Sequence, residues 1–356
     1  MPHVKLFIPG PTEVRSEVLQ RMAHPMISHR SSEAAELQKT ISLQAAQIMF
    51  TEHPVLFSTS SGTGLMEGGI RNGVKERVLS LVCGAFTERW HRIALDCGKQ
   101  ADRIEVPWGR AIAPEAVELA LATGKYDALT VAHNETSTGV ANPIGEIAQV
   151  MRRYPDVVFM VDTVSSLGGM PLKVDELGID LCLASVQKAL ALPPGFSLCS
   201  VSPKLMERSR AAKGKGFYFD FVRMLDKHGK NQALTTPSLP HMFAMESQFA
   251  HILEEGLERR WARHHRMAAT VRDWAKDRFG LFADETHASD TLTCVSNTRG
   301  IDLADLISRL RKEGMLISNG YGDLKGKTFR IAHLGEIQPS DVATLLSTID
   351  RLLANA

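Results

Sequence analysis

The chain reads as an α/β protein: a mainly parallel sheet covered by helices on both faces, followed by a smaller C-terminal α/β unit. Three observations predict this. Up to about Ser202, seven short and nearly unbroken apolar runs alternate with segments of helical periodicity. At 356 residues the chain exceeds what one compact core usually holds, so a large domain plus a smaller one is expected. The last third then repeats a strand and helix alternation on its own.

The strands are expected at 55–58, 77–83, 102–106, 128–133, 157–162, 181–184 and 197–202, rich in Val, Leu and Ile as strands buried on both faces should be. The intervening helices are expected at 63–73, 87–98, 114–123 and 144–154. Beyond Pro203 the stretch "SRAAKGKGFYFDFVRMLDKHGKNQALTTPSLP" is polar, glycine-dotted and aromatic, and reads as an extended excursion over the surface. A long helical stretch at 241–278, interrupted near Gly256, leads to a tail of strand, helix, strand and helix. The division that follows is an N-terminal segment at 1–20, a large domain at 21–240 and a small C-terminal domain at 241–356.

Charge and composition narrow the partners. A net charge of +1 supplies no electrostatic reason to bind nucleic acid or a membrane surface, which leaves small molecules. The opening "MPHVKLFIPGPTEV" has no targeting pattern, and no apolar run approaches the roughly 20 residues of a membrane span, so a cytoplasmic protein is expected. Cys83, Cys97, Cys182, Cys199 and Cys294 are widely spaced, offer no zinc pattern and read as free thiols.

In an open α/β sheet, ligands collect where the carboxyl ends of strands meet loops and helix N-termini. At "FSTSSGTGLMEGG" an apolar strand runs into hydroxyls and glycines and then a helix, which suits either an anion cradle or an ordinary N-cap. It matches neither a P-loop nor a dinucleotide fingerprint. Asp162 ends the apolar run "VFMVD", where a carboxylate needs a cation or a protonated ring nitrogen unless it is a turn aspartate. Lys188, in "ASVQKALALPPG", is either a surface lysine or a desolvated amine able to form a Schiff base. Taken together, a lysine for an aldehyde, an aspartate for a pyridinium nitrogen and a cradle for a phosphate are the three parts that pyridoxal phosphate requires. Phe86, in "CGAFTERW", offers a ring to stack on it, or is a core phenylalanine.

The ordered set "PGPTEV", "HRSSE", "SSGTG", "NETSTGV", "VDTVSSLGG", "ASVQKAL", "LPPG" and "FRIAHLG" covers essentially the whole chain and resembles the class V aminotransferases of the pyridoxal-phosphate-dependent fold type I group. The nearest likeness is to the alanine-glyoxylate and serine-glyoxylate (serine-pyruvate) enzymes. The resemblance implies a large domain around a mainly parallel seven-stranded sheet, a smaller C-terminal α/β domain, and transamination between serine or alanine and glyoxylate or pyruvate through a pyridoxamine phosphate form. It implies that Lys188 forms the internal aldimine and shuttles the substrate proton, and that Asp162 keeps the pyridine nitrogen protonated. Thr63, Gly64, the Leu65 backbone and Gln187 would hold the phosphate; Leu65 stands where relatives have histidine. Phe86 and Val164 would cover the two ring faces, and Thr136 would reach the phenolic oxygen.

By the same resemblance Arg330 takes the substrate α-carboxylate, which a guanidinium fits with two prongs, where the residue alone would read as a surface arginine on an edge strand. The backbone around Pro9, Gly10 and Pro11 would close over the substrate. A homodimer with shared sites is implied, with Thr235 reaching the neighbour's phosphate and Gln232 replacing the family's tyrosine. Arg30, in "SHRSSE", is either a second substrate cation or a solvated residue at a helix start. With one assigned carboxylate arginine, small monoacids are favoured as donors. The alternatives are transamination of a phosphonate or phosphorylated amino acid, a cysteine desulfurase, for which "LISNGYGDLKGK" lacks the loop cysteine, and a non-catalytic subunit that keeps the fold.

Overall fold

The computed structural model describes residues 3–354. Its elements begin with β1 (Lys5–Phe7), α1 (Ser16–Arg21), α2 (Ser32–Met49), β2 (Val55–Ser58), α3 (Gly62–Gly73), β3 (Arg77–Val82), α4 (Ala85–Asp96) and β4 (Gln100–Glu105). They continue with α5 (Pro114–Leu121), β5 (Ala128–Ala132), β6 (Asn134–Glu135), β7 (Val140–Ala141), α6 (Ile144–Met151), β8 (Val158–Asp162), β9 (Leu181–Ser185) and β10 (Ser197–Val201). The remainder comprises α7 (Pro203–Ala211), α8 (Phe221–His228), α9 (Leu239–Glu255), α10 (Leu257–Arg278), β11 (Leu292–Ser296), α11 (Leu303–Lys312), β12 (Met315–Asn319), β13 (Thr328–Ala332) and α12 (Pro339–Ala354).

The seven expected strands pair into one sheet of order β2-β10-β9-β8-β5-β3-β4. Every neighbour pair is parallel except those made by β10, which is antiparallel to both β9 and β2. Residues 186–196, between β9 and β10, carry no helix that could return the chain for a parallel crossover. Two antiparallel steps leave β2 running the same way as β9, so six strands present their carboxyl ends on one edge. Central strands β5, β8 and β9 are buried throughout, whereas the edge strand β4, "QADRIE", is half exposed and charged, which discourages further pairing.

Alternate residues of these strands feed two cores. Phe159 and Val161 join one cluster with Ile41 and Ile48 of α2 and Ile147 of α6. Val158 and Met160 join another with Leu65 and Ile70 of α3 and Leu205 of α7. The polar stretch after Pro203 is more ordered than its composition suggests. Ser202 caps α7 through the Leu205 N–H, Asp220 caps α8 through the Val222 and Arg223 N–H groups, and Met206, Phe221 and Met224 are buried against the α3 side of the sheet. The excursion therefore holds the end of α7 and all of α8, with 212–220 and 229–238 running outside helices.

Residues 241–278 divide at Gly256, whose φ of 81° ends α9 and starts α10. The tail holds one more strand than expected: β13 is antiparallel to β12 on one side and to β11 on the other. β1 adds in parallel to β12, making a four-stranded sheet of order β1-β12-β13-β11 whose core is shared with α10, α11 and α12. Arg330 thus stands on an interior strand, not on an edge.

A buried arginine locks this unit to the site. Arg260 of α10, 1% exposed, donates to the Gly168 carbonyl at 3.1 Å and the Ala189 carbonyl at 2.8 Å, and pairs with Glu255 at 2.6 Å and Glu336 at 3.2 Å. No helix among the described residues is long and apolar enough to cross a membrane.

Candidate active site

Five strands that run the same way deliver the site from their carboxyl ends. A cavity of about 330 Å³ is lined by residues that follow β2 (Ser61, Gly62, Thr63, Met66), β3 (Phe86, Arg89), β5 (Thr136), β8 (Asp162, Val164, Ser165) and β9 (Gln187, Lys188). A larger surface groove, about 550 Å³ and lined by Lys75, Lys99, Lys204 and Arg208, lies beyond the amino ends of β3, β4 and β8 and contains none of these residues.

On one wall α3 opens towards the cavity. Ser61 stands at its N-cap without a side-chain capping bond, so the first amides keep their capacity for an anion. Gly62 is required by close approach, since a Cβ there would lie 2.7 Å from Val164 Cγ2. Gln187 adds a donor: Ser185 Oγ holds its Oε1 at 2.6 Å, which leaves the amide NH2 for the cavity. Leu65 turns its side chain wholly into the core, so only its backbone can serve a ligand. Gly64 sits one turn into the same helix start, with its N–H on the Ser61 carbonyl at 3.0 Å.

Asp162 and Lys188 form the second feature. Asp162 is 5% exposed, and among the described residues its carboxylate accepts one hydrogen bond, from the Val164 N–H at 2.7 Å. Burial, only partly opposed by that bond, pushes its carboxyl up to about 7. Such a group calls for a cationic partner in the cavity. Burial, reinforced by the positive charge of Arg330, pulls the Lys188 ammonium down to about 8. The Lys188 ammonium donates to the Pro9 carbonyl, and the Thr12 N–H donates to the Gln187 carbonyl at 3.2 Å, so the N-terminal segment lies directly over the lysine turn. Gly10 is fitted to that approach: a Cβ on it would be 2.6 Å from Lys188 Cδ.

The third feature was hidden from sequence reasoning. Glu135 is fully buried and accepts from Phe86 N at 3.1 Å, Thr87 N at 2.9 Å, Thr87 Oγ1 at 3.0 Å, Ser137 N at 3.0 Å and Ser137 Oγ at 2.7 Å. It clamps the N-terminus of α4 and so fixes Phe86. Gly84 leaves room for it, because a Cβ there would sit 2.5 Å from Glu135 Cγ. Three residues after Phe86, Arg89 lies over the Phe86 ring at 4.8 Å and donates to the Tyr321 hydroxyl at 3.2 Å. Tyr321 packs on Phe86 with ring centroids 5.3 Å apart and carries Arg330 over its own ring at 5.5 Å.

Arg330 is 8% exposed and is aimed by two carbonyls, Asn319 at 3.2 Å from Nε and Thr136 at 3.3 Å from one terminal nitrogen. The Thr136 hydroxyl is bonded to that of Ser165. A signal for Arg89 existed in its i, i+3 spacing from Phe86, and Glu135 directly precedes Thr136 in "NETSTGV"; Tyr321 reaches the site from distant sequence without one.

Not every expected residue meets here. Thr235 is half-buried in a separate groove with Phe57, Ser58, Thr59 and Tyr218, and Gln232 borders an adjoining one with Gln38 and His228. Arg30 is exposed just before α2 and does not line the cavity. The cysteines form no disulfide, and burial pushes the Cys83 and Cys182 thiols up to about 12 and that of Cys294 to about 11.

A family model described as aminotransferase class-V matches residues 5–323. An uncharacterized aminotransferase of Methanocaldococcus jannaschii is 38% identical over 98% of this chain and 92% of its own. The L-aspartate–glyoxylate aminotransferase of Paracoccus denitrificans is 31% identical over 98% and 91%. Among solved structures, the alanine–glyoxylate aminotransferase of a Nostoc species superposes with a TM-score of 0.93 at 29% identity, covering 99% of this chain and 96% of that one.

Proposed function

Because the chain belongs to the class-V aminotransferase family, whose enzymes depend on pyridoxal phosphate, we propose that it moves an amino group between a small amino acid, serine or alanine, and glyoxylate or pyruvate. The observation that carries this reading is the convergence of Lys188, Asp162 and the open start of α3 on one cavity, with Arg330 fixed at its Thr136 edge. The Paracoccus and Nostoc relatives are both named for glyoxylate, which supports that acceptor.

When bound, pyridoxal phosphate supplies an aldehyde and a protonated ring that draws off the electron pair of the substrate Cα–H bond. The residues fit it, since a buried carboxylate with one backbone partner matches a ring N–H and a helix start without a side-chain cap matches a phosphate. Asp162 would hold the ring proton. Thr63, Gly64, the Leu65 backbone and Gln187 would hold the phosphate, Phe86 and Val164 the two faces, and Thr136 the phenolic oxygen. Lys188, brought to about 8 by burial, would accept the Cα proton at its Nζ near neutral pH. Arg330 would orient the α-carboxylate, and Gly10 would let the N-terminal segment close over the reacting atoms.

We place the division between a large domain at 21–240 and a small one at 241–356, preceded by the segment 1–20. The family resemblance implies a homodimer, in which Thr235, standing in a separate groove of its own subunit, would complete the partner's phosphate site. The test is spectroscopic. Adding L-serine or L-alanine to the holoenzyme should bleach the aldehyde absorbance and adding glyoxylate should restore it. If neither amino acid does so, the reading is wrong. A Lys188→Ala variant that still kept cofactor covalently after borohydride would move the lysine's role elsewhere.

A further inference from the structure

Two cations line the cavity, Lys188 and Arg89, and the reading above employs only Lys188. Arg89 is half-buried on the second turn of α4 and lines the cavity. Among the described residues it has no acidic partner within salt-bridge distance. Its contacts are neutral: the Tyr321 hydroxyl at 3.2 Å and the face of Phe86 at 4.8 Å. The nearby acids are committed elsewhere. Glu135 is saturated by the start of α4, and Asp162 lies in the cavity wall on the backbone of Val164. One terminal nitrogen of Arg89 is spent on Tyr321, which leaves the rest of the guanidinium fork towards the cavity.

Tyr321 also links Arg89 to the residue assigned to the α-carboxylate: Arg330 lies over its ring face at 5.5 Å, while Arg89 bonds its hydroxyl. The cavity edge therefore carries two guanidinium groups held apart by one phenol ring. Resting on the transamination reading of this same cavity, we infer that Arg89 binds a second carboxylate of the substrate, so that an acidic amino acid of aspartate size is a donor alongside the small neutral ones. A carboxylate fits better than a phosphate or phosphonate dianion. A dianion would need a further cation, and Lys188 and Arg330 already have work at Cα and at the α-carboxylate.

The experiment compares L-aspartate, L-alanine and O-phospho-L-serine as donors to the holoenzyme, read as bleaching of the bound aldehyde, in the wild type and in Arg89→Gln. The expected result is an aspartate to alanine ratio of kcat/KM that falls roughly 10- to 100-fold in Arg89→Gln, the worth of a charge-assisted hydrogen-bond pair, and recovers in part in Arg89→Lys. An unchanged ratio overturns the inference, and so does phosphoserine outpacing aspartate in the wild type. A binding arm needs no turnover and no variant that must fold. Succinate should perturb the cofactor spectrum at lower concentration than butyrate in the wild type, and equal binding of the two overturns the site. If no donor reacts yet succinate keeps its advantage, the transamination reading fails and the anion site stands.

Discussion

Replacing Asp162 by Asn removes a charge and almost nothing else, because the amide oxygen can still accept from the Val164 N–H at 2.7 Å. In the protein freed of cofactor, the carboxyl is raised from 3.8 to about 7, chiefly by burial. A group whose folded pKa is raised binds its proton more tightly in the native state, so between those two values stability falls as pH rises. The penalty is absent below 3.8 and complete above about 7. At 1.36 kcal/mol per pH unit it comes to roughly 4 kcal/mol. The attraction of Lys188 is already contained in that value, so the variant should gain up to roughly 4 kcal/mol at pH 8. Cofactor-free Asp162→Asn should therefore be more resistant to urea than the wild type at pH 8, with the difference vanishing towards pH 4. With pyridoxal phosphate present the sign should reverse, since the ring nitrogen then loses its anionic partner. A stability difference independent of pH would refute the reasoning, as would tighter cofactor binding in the variant.

Glu135→Gln sets an amide NH2 among buried donors that now meet a carboxylate; it should cost on the order of 3–5 kcal/mol in urea unfolding and weaken cofactor retention through Phe86. Gly10→Ala places a Cβ 2.6 Å from Lys188 Cδ at a φ of 127°, so kcat should fall while the midpoint of global unfolding moves little; undiminished turnover would show that the segment does not press on the lysine. Arg330→Lys keeps the charge but loses the fork, and the KM for amino donors should rise about 10-fold or more with the cofactor spectrum unaltered.

Much of the large sheet was legible because each central strand is buried on both faces, and burial on both faces leaves an unbroken apolar run. The site turns were legible for a related reason. At a strand end the chemistry that breaks the run, as in "SSGTG", "VDTV" and "SVQK", is local. The misread segments are those whose local signal competes with composition. Residues 203–240 are polar overall, yet the Ser202 and Asp220 caps and a few buried side chains suffice for α7 and α8. The strand holding Arg330 reads alone as an edge strand, whereas pairing on both sides makes β13 central to its sheet.

By itself the sequence determined an α/β chain, the seven strands of the large sheet and four of the helices between them, a lysine and an aspartate at strand ends, and a glycine-rich turn suited to an anion. Only the tertiary structure decided that these share one cavity, that Arg330 stands at its Thr136 edge on an interior strand of the second sheet, and that Arg89, Tyr321 and Glu135 stand beside them. The physical reason is that periodicity and caps act within a few residues, whereas the burial that shifts Asp162 and Lys188 is produced by elements distant in the chain closing around them.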